Sequence, residues 1–570
     1  MYILGIHAGH DASASLLKDG ELMFASEEER YSKLKHHNGF PANAIANALA
    51  YAGISIDEVD YFAFSPSHIF TLKNSVYLIS EASKLFKNVA SVYGLRSAMT
   101  VLNERAGYFR HYRNTVKGEY EFDKKKCFSI DHHLAHVVSS YTCSGFQKGV
   151  FASWDYTGAS VSTLLGYAED DIFVKYKIGF PHSLGYLYSY ITQFLGFKPW
   201  GDEGKVMGLS PYGENEYEFS KLISLNGYTH RINPYYLNLI DFESSFYDPN
   251  NIRYSSEIEG FLGPHFKKQE FNERAANIAK SLQNRVEEIC LNIVEKLTTE
   301  FGSRNLCIAG GVGLNSKLNG ELLASRNVDN IFIQPAANDA GLSLGAALEL
   351  YRRLGYKKRF VMRHAYYGDE FSADEIEDAI RNSGFVYERQ KDIYGTVAEL
   401  LAKGNIVGWF QGRMELGPRA LGNRSILADP RDEKIRDKVN RLKGREFWRP
   451  LAPSFIMDDV DDYIEGAYPS PFMALVFKIK EEKINEIPAI VHVDNTCRLQ
   501  TVEKEINPEY WGLINEFKKE TGIPCLLNTS MNIAGLPIAC TPADALFTLE
   551  KMGHDYLAIG DFLVKSGKSR

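Results

Sequence analysis

The chain lacks three things, and each absence narrows its class. No stretch approaches the roughly 20 consecutive apolar residues that cross a bilayer. The start MYILGIHAGHDAS has neither a basic region nor a small-residue cleavage site, so a cytosolic protein without membrane contact is expected. Paired cysteines are missing too. The seven, at 127, 143, 290, 307, 497, 525 and 540, are odd in number and scattered, with no C-x-x-C, which points to reduced thiols. Cys307 and Cys525 sit in apolar, strand-like runs and read as small buried residues rather than nucleophiles. Finally there is no excess of positive charge. With 64 Lys and Arg against 72 Asp and Glu the formal charge is −8, which argues against nucleic acid or an anionic membrane as partner.

What is present begins with length. At 570 residues the chain exceeds one hydrophobic core, and two or more domains are expected. Residues 1–355 read as one unit and 365–570 as a second α/β unit, with the polar stretch 356–375 crossing between them. Within the first, YILGIH reads as a buried strand, AGHDAS as a polar turn, and ASLLKDGELMFASEE as a hairpin folded at Asp19-Gly20. The pattern returns at KGVFASWDYTGASVSTLLGY, with Asp155 and Gly158 in the turn. Two such strand, acidic-turn, strand units are the mark of the actin-like ATPase architecture, in which related halves face a nucleotide cleft. Residues 274–300 and 340–353 show helical spacing, and Ser372 with Glu375 forms a capping signal. Segments 70–125 and 214–270, rich in Tyr, Asn and Ser, are expected to elaborate the mouth of the cleft.

The motif HHLAH spaces His132 and His136 four residues apart, so on a helix both imidazoles share a face and can bind one cation. Asp155 and Asp339, the latter in PAANDAGLSLGAA, are placed to complete a two-histidine, two-carboxylate site at strand-to-turn junctions. Spacing leaves Fe(II), Mn(II) and Zn(II) open. Gly310, Gly311, Val312, Gly313 and Asn315 follow the strand NLCIA, where glycines admit phosphate or ribose close to backbone amides. Asp202, Glu203 and Lys205 in WGDEGKVMGLSPYG are suited either to positioning a substrate or to a solvated loop, and SEEERYSKLKHH, with Glu28, Arg30, Lys35 and His36, reads as an exposed charge run.

The densest anion-binding signal lies between Gln411 and Arg449, with eleven Lys and Arg against six Asp and Glu. Arg413, Arg419, Arg424 and Arg431 fall among Gly and Pro, and Lys443, Arg445 and Arg449 follow. Placed on turns, such forks converge on phosphate or carboxylate oxygens, whereas a nucleic-acid face would be periodic. Arg498, and Asn528 and Ser530 in NTSMN, add a cation, an amide and a hydroxyl.

Together HDASA, EEERYSKLKH, HHLAH, GDEGKVMGLSPYG, GGVGLN, NDAG, GRMELGPRALGNRSILADPR and LNTSMN resemble the nodulation-protein/cephalosporin-type O-carbamoyltransferase family, its aminoglycoside-modifying members being nearest in layout. The departures are Met531, where the family commonly has Phe, and Gly313, often Ala there. The resemblance implies a TsaD-like actin-type first domain and a YrdC-like second. It implies that carbamoyl phosphate and ATP, with magnesium, give carbamoyl adenylate in the second, and that the carbamoyl group passes to a small hydroxylated acceptor in the first. Carried over residue by residue, it assigns Arg419, Lys443, Arg449, Arg498, Asn528, Ser530 and Met473 to the carbamoyl phosphate and ATP pocket, with Lys205 among the ligand-binding residues. His132, His136, Asp155 and Asp339 match metal ligands, Fe(II) or a similar ion, and Gly310, Gly311, Val312 and Asn315 match an adenosine-binding turn. His10 or Asp11 is the candidate base for the acceptor hydroxyl. Two other readings are an actin-like sugar kinase with a regulatory domain and a threonylcarbamoyl transferase acting on tRNA. The Arg-rich second unit has no task in the first, and the second lacks a basic stripe for RNA.

Overall fold

The computed structural model describes residues 1–65, 120, 122–158, 161–237 and 254–568. Two five-stranded sheets in its first half share one strand order. In the first, β1 (Tyr2–His7), β2 (Ser13–Lys18) and β3 (Glu21–Glu27) form an antiparallel meander, and β4 (Tyr61–Phe64) and β5 (Cys127–Ser129) add in parallel on the far side of β1, giving β3-β2-β1-β4-β5. The β2–β3 turn falls at Asp19-Gly20, whose φ angles of 51° and 84° are those a two-residue type I′ hairpin requires.

The second sheet repeats this plan. β6 (Gly149–Gly158), β7 (Val161–Ala168) and β8 (Ile172–Gly179) form the meander. After a small hairpin of β9 (Ile223–Asn226) and β10 (Thr229–Ile232), β11 (Asn305–Ala309) and β12 (Asn330–Ile333) join in parallel beside β6. The order β8-β7-β6-β11-β12 is that of the first sheet, so the expected actin-like duplication is present as topology.

The helices His132–Ser144 and Leu342–Arg353 pack on each other through small residues, the first also on β6 and β11 and the second on β1. A Cβ at Gly345 would lie 1.9 Å from Ala135 O, and one at Gly5 would lie 1.9 Å from Ser343 O. Ser343 Oγ meets the hydroxyls of Ser13 and Ser15 at 2.9 and 2.8 Å in the same contact. This close approach seats the HHLAH helix and the NDAG turn side by side. The helix Glu273–Phe301, capped by the Asn272 side chain, buries Leu282, Ile289 and Ile293 against the second sheet.

The remaining strands form one nine-stranded mixed sheet: β13 (Phe385–Arg389), β14 (Val407–Phe410), β15 (Arg424–Ala428), β16 (Ala452–Ile456), β17 (Leu475–Lys478), β18 (Thr496–Val502), β19 (Cys525–Ser530), β20 (Tyr556–Ile559) and β21 (Phe562–Lys568). Its order is β13-β21-β20-β14-β15-β19-β16-β18-β17. Ser372 and Glu375 make the expected reciprocal cap on the helix Ala373–Ser383. Between Arg353 and Ala373 the chain is irregular and touches both halves. Met362 N donates to Cys143 O at 2.9 Å, and Gly368 N to Met414 O at 2.9 Å. One apolar cluster, including Ala336, Ala340, Leu416, Leu421, Phe472 and Met473, is shared between the halves.

All seven cysteines are free, and burial pushes the Cys307 thiol up to about 12 and Cys525 well above its ordinary value, which keeps both inert. Among the described residues no helix is long and apolar enough to cross a membrane. Of the segments expected at the cleft mouth, residues 70–119, 121 and 238–253 lie outside the described residues.

Candidate active site: a histidine–aspartate cage and a cation cluster

His132 opens its helix behind the N-cap Asp131, whose side chain accepts Leu134 N, and His136 follows one turn later. Asp155 lies inside β6 rather than beyond its end, and Asp339 opens the 3-10 turn leading into the helix Leu342–Arg353. His132 Nε2 is 3.2 Å from Asp155 Oδ2 and 3.6 Å from Asp339 Oδ1; His136 Nε2 is 3.8 and 3.5 Å from the same atoms. Gly311 N donates to Asp155 Oδ1 at 2.9 Å, which leaves Oδ2 aimed at the imidazoles.

Three of these four separations are long for hydrogen bonds, and the four together bracket the ~3.4 Å spacing of donors around a tetrahedral ion with ~2.1 Å bonds. The four donor atoms lie within 4.8 Å of one another, and the buried His136 Nε2 has no hydrogen-bond partner. Two buried carboxylates demand positive charge between them. Burial alone would lower the His136 pKa, but Asp155 and Asp339 outweigh it and hold it up at about 9. The donor set therefore fits a divalent ion. His133, the middle histidine, faces Ser153 Oγ and Val161 O at 3.1 and 2.8 Å and is structural.

Beside the cage, Asp11 sits at φ 56° in the β1–β2 turn. Its Oδ1 meets His36 Nδ1 at 2.8 Å, and its Oδ2 meets Asn338 Nδ2 at 2.6 Å and His10 Nδ1 at 3.1 Å. The His10 and His36 rings stack at 5.3 Å. Burial opposes charge on His10, but Asp11, Asp339 and Glu203 raise its pKa to about 9. His7 Nε2 joins the groups, 3.0 Å from His10 O and 3.6 Å from Asp339 Oδ2. The stretch expected to be an exposed charge run is otherwise in the structure. Glu28 and Arg30 are buried, and His36 belongs to this cluster.

The glycine turn after β11 is held against β6. Gly310 has φ 87°, and a Cβ there would lie 2.2 Å from Trp154 O. The half-buried Gly311 and buried Val312 lie in a 3-10 turn. The Asn315 carboxamide is engaged internally, accepting Leu318 N at 3.0 Å as a helix cap and exchanging hydrogen bonds with Gln283. Asn319 Nδ2 donates to Gly313 O at 2.8 Å and to Ala474 O at 3.0 Å, tying this turn to the second half next to Met473, which is buried at φ 54°.

In the second half, three of the four arginines read as pocket-forming are occupied with the fold. Arg424 is buried and donates to the carbonyls of Gln411, Gly412, Asn423 and Asp369, Arg413 to those of Gly368, Met23 and Tyr367, and Arg431 pairs with Asp429. Arg419 is different: among the described residues its guanidinium meets no hydrogen-bond acceptor or carboxylate. It clusters with Lys443, Arg445, Arg449 and Arg498; burial depresses the proton affinity of all five, and neighbouring cations add to this for all but Arg449, where Glu446 and Asp202 partly offset it. Arg419 falls to about 10 and Arg445 to about 9, with Lys443 and Arg498 well below their ordinary values.

Lys443 Nζ donates to Ser530 O and, at 3.0 Å, to Asn532 Oδ1. Arg445 Nη1 reaches Thr529 Oγ1 at 3.1 Å. Asn528 Nδ2 donates to Ala420 O at 3.2 Å and Ser454 Oγ at 3.0 Å, fixing the loop beside Arg419. Lys205 lies at this second site, 2.9 Å from Glu446 Oε1, while Glu446 Oε2 is 3.7 Å from Arg449 Nη1. Five cations share little compensating charge, so the pocket calls for an anion.

Residues underrated from the sequence are His7, His36, Asn338 and Arg445. Arg445 was visible in the basic run; His7 and Asn338 carried no spacing signal.

The strand order and the two polar sites define an actin-like α/β protein joined to a second α/β unit with an anion pocket. The chain belongs to the carbamoyltransferase family: the model of the carbamoyltransferase N-terminus matches residues 2–348 and that of the C-terminus residues 398–566. It is 36% identical to nodulation protein NolNO of Sinorhizobium fredii over 98% of this chain and 79% of that one. It is 28% identical to nodulation protein U of the same organism over 94% of each chain, and 36% identical to an uncharacterized protein of Synechocystis over 99% and 96%. The protein is thus a carbamoyltransferase.

Proposed function

We propose that this carbamoyltransferase is ATP-dependent and divides its work between residues 365–570 and residues 1–355. In the second unit carbamoyl phosphate and water give carbamate and phosphate. Carbamate oxygen then attacks the α-phosphorus of ATP, forming carbamoyl adenylate and expelling pyrophosphate. In the first, an acceptor hydroxyl attacks the carbamoyl carbon and AMP leaves. The observation that carries this reading is one chain holding a cation pocket with little counter-charge and a separate histidine–aspartate cage.

Arg419, Arg449 and Arg498 bind phosphate oxygens in forked geometry, and Lys443, presented by Ser530 and Asn532, supplies a point charge where negative charge grows. Asn528 holds the Arg419 loop, and Met473 lines the apolar wall. Lys205, from the first half, closes the pocket by pairing with Glu446 of the second. The turn at Gly310, Gly311 and Val312 offers backbone to the adenosine, with Asn315 bracing it.

His132, His136, Asp155 and Asp339 would hold a divalent ion, Fe(II) by family resemblance, that supplies Lewis-acid polarisation of a phosphate oxygen when bound. His10, oriented by Asp11, takes the acceptor proton once it is neutral. The acceptor is a small hydroxylated molecule of natural-product or sugar type, consistent with the nodulation relatives, and the reaction takes place in the cytosol.

The test measures pyrophosphate release that depends on carbamoyl phosphate, together with mass spectra of hydroxylated metabolites. Release of pyrophosphate and a carbamoylated product is expected. Formation of ADP instead would favour the kinase reading, and a requirement for threonine and bicarbonate the tRNA reading.

A further inference from the structure

A buried ion pair in the first half grips the loop that carries Arg419 in the second. β3 ends in Glu27 and the next turn brings Arg30 against it, with side chains 6% and 1% exposed. Arg30 Nε donates to Glu27 Oε2 at 3.2 Å and Nη2 to Oε1 at 3.3 Å. The pair also reaches outward. Glu27 Oε1 accepts Gly417 N at 2.7 Å, and Arg30 Nη2 donates to Gly417 O at 2.7 Å. Both backbone polar groups of one residue are thus held by the two ends of one ion pair.

Gly417 has φ 102°, and a Cβ there would lie 2.7 Å from Pro335 O. It is wedged between the ion pair and the turn that carries Asp339. On the other stem of the loop, Glu415 Oε1 accepts Leu421 N, Asn423 N and Arg424 N at 2.8, 2.9 and 3.1 Å. Arg419 lies between these anchors and, among the described residues, makes no hydrogen bond or ion pair that would aim it, so the loop backbone sets its direction.

We propose that Glu27 and Arg30 are positioning residues for Arg419, so that the first half builds one wall of the second half's anion pocket. Removing either partner of this buried pair weakens the charge balance of the other, which for Arg30 leaves Glu29 at 3.6 Å, and directly frees one of the two Gly417 groups. Arg30 is the sensitive end, because only a planar fork reaches Glu27 and the Gly417 carbonyl together. The link from Arg419 to phosphate rests on the function proposed above; the link from Arg30 to the loop does not.

The experiment therefore has two readouts on the full chain. Hydrogen exchange of the amides of residues 417–424 should quicken about tenfold in Arg30→Lys, with β20 amides unchanged. Calorimetry with inorganic pyrophosphate should show about tenfold weaker binding for Arg30→Lys and for Arg419→Ala, and a double variant no weaker than Arg419→Ala. Loop amides that stay protected, or losses that multiply in the double variant, overturn the proposal. Glu27→Gln gives the same comparison should Arg30→Lys not fold. A parent chain that binds no pyrophosphate sinks the anion-pocket reading, while hydrogen exchange still decides the positioning.

Discussion

The two polar sites stand on opposite electrostatic terms. In the first half, Asp155 and Asp339 face His132 and His136, and charge within the cage can nearly balance. In the second half, Arg419, Lys443, Arg445, Arg449 and Arg498 crowd together, with the Glu446 carboxylate 3.7 Å from Arg449. The first arrangement is complementary to a single cation, the second to a polyanion. The two-stage reaction proposed above needs both kinds of site.

The sharpest way to break that comparison is to remove one group from each site. Lys443→Ala should lower carbamoyl-phosphate-dependent pyrophosphate release by about a thousandfold, whereas His136→Ala should leave that release intact and abolish transfer. Pyrophosphate assays beside product mass spectrometry check this, and the reverse pattern would mean that the two sites have been interchanged. A smaller effect comes from the scaffold. Gly345→Ala forces a methyl into the space of Ala135 O and should destabilise the fold by about 3 kcal/mol. It should also weaken metal retention, read by denaturant titration and metal analysis, while pyrophosphate release changes little.

The mildest prediction concerns pH. With His10 held at about 9, its neutral form grows as pH rises, so transfer should increase about tenfold from pH 7 to 8 and level off above 9. The same shift has a stability side. A histidine whose folded pKa exceeds its ordinary 6.5 stabilises most below that value and loses the contribution as pH climbs through 9. Thermal melts across that range, with His10→Gln as reference, separate the two. A flat transfer profile would remove His10 as the base.

The cage was legible because ligation imposes a local rule: a four-residue helical spacing and carboxylates borne by strand and turn. The duplicated sheets were legible from the Asp19-Gly20 turn and two apolar strands followed by acidic turns. The arginine cluster was legible only in bulk. Arg413, Arg424 and Arg431 look like Arg419 in sequence, and what separates them is whether carbonyls such as those of Gly412 and Tyr367 come within reach after folding. Burial of Glu28 and Arg30 was missed for a related reason. A charge run reads as solvated until a distant backbone, here Gly417, closes over it. The order of the nine-stranded sheet depends on pairings between residues far apart in sequence, such as β15 with β19, and local patterns do not encode those.

The repeated strand order has a consequence for how two unlike tasks came to share one lobe. Each meander offers an equivalent ledge where its first and second strands part, and each ledge displays one acidic side chain: Asp11 on one, Asp155 on the other. One copy faces the His132–His136 pair and its twin orients a pair of stacked rings, so a single template, used twice, supplies an acidic side chain to each of two adjoining polar clusters.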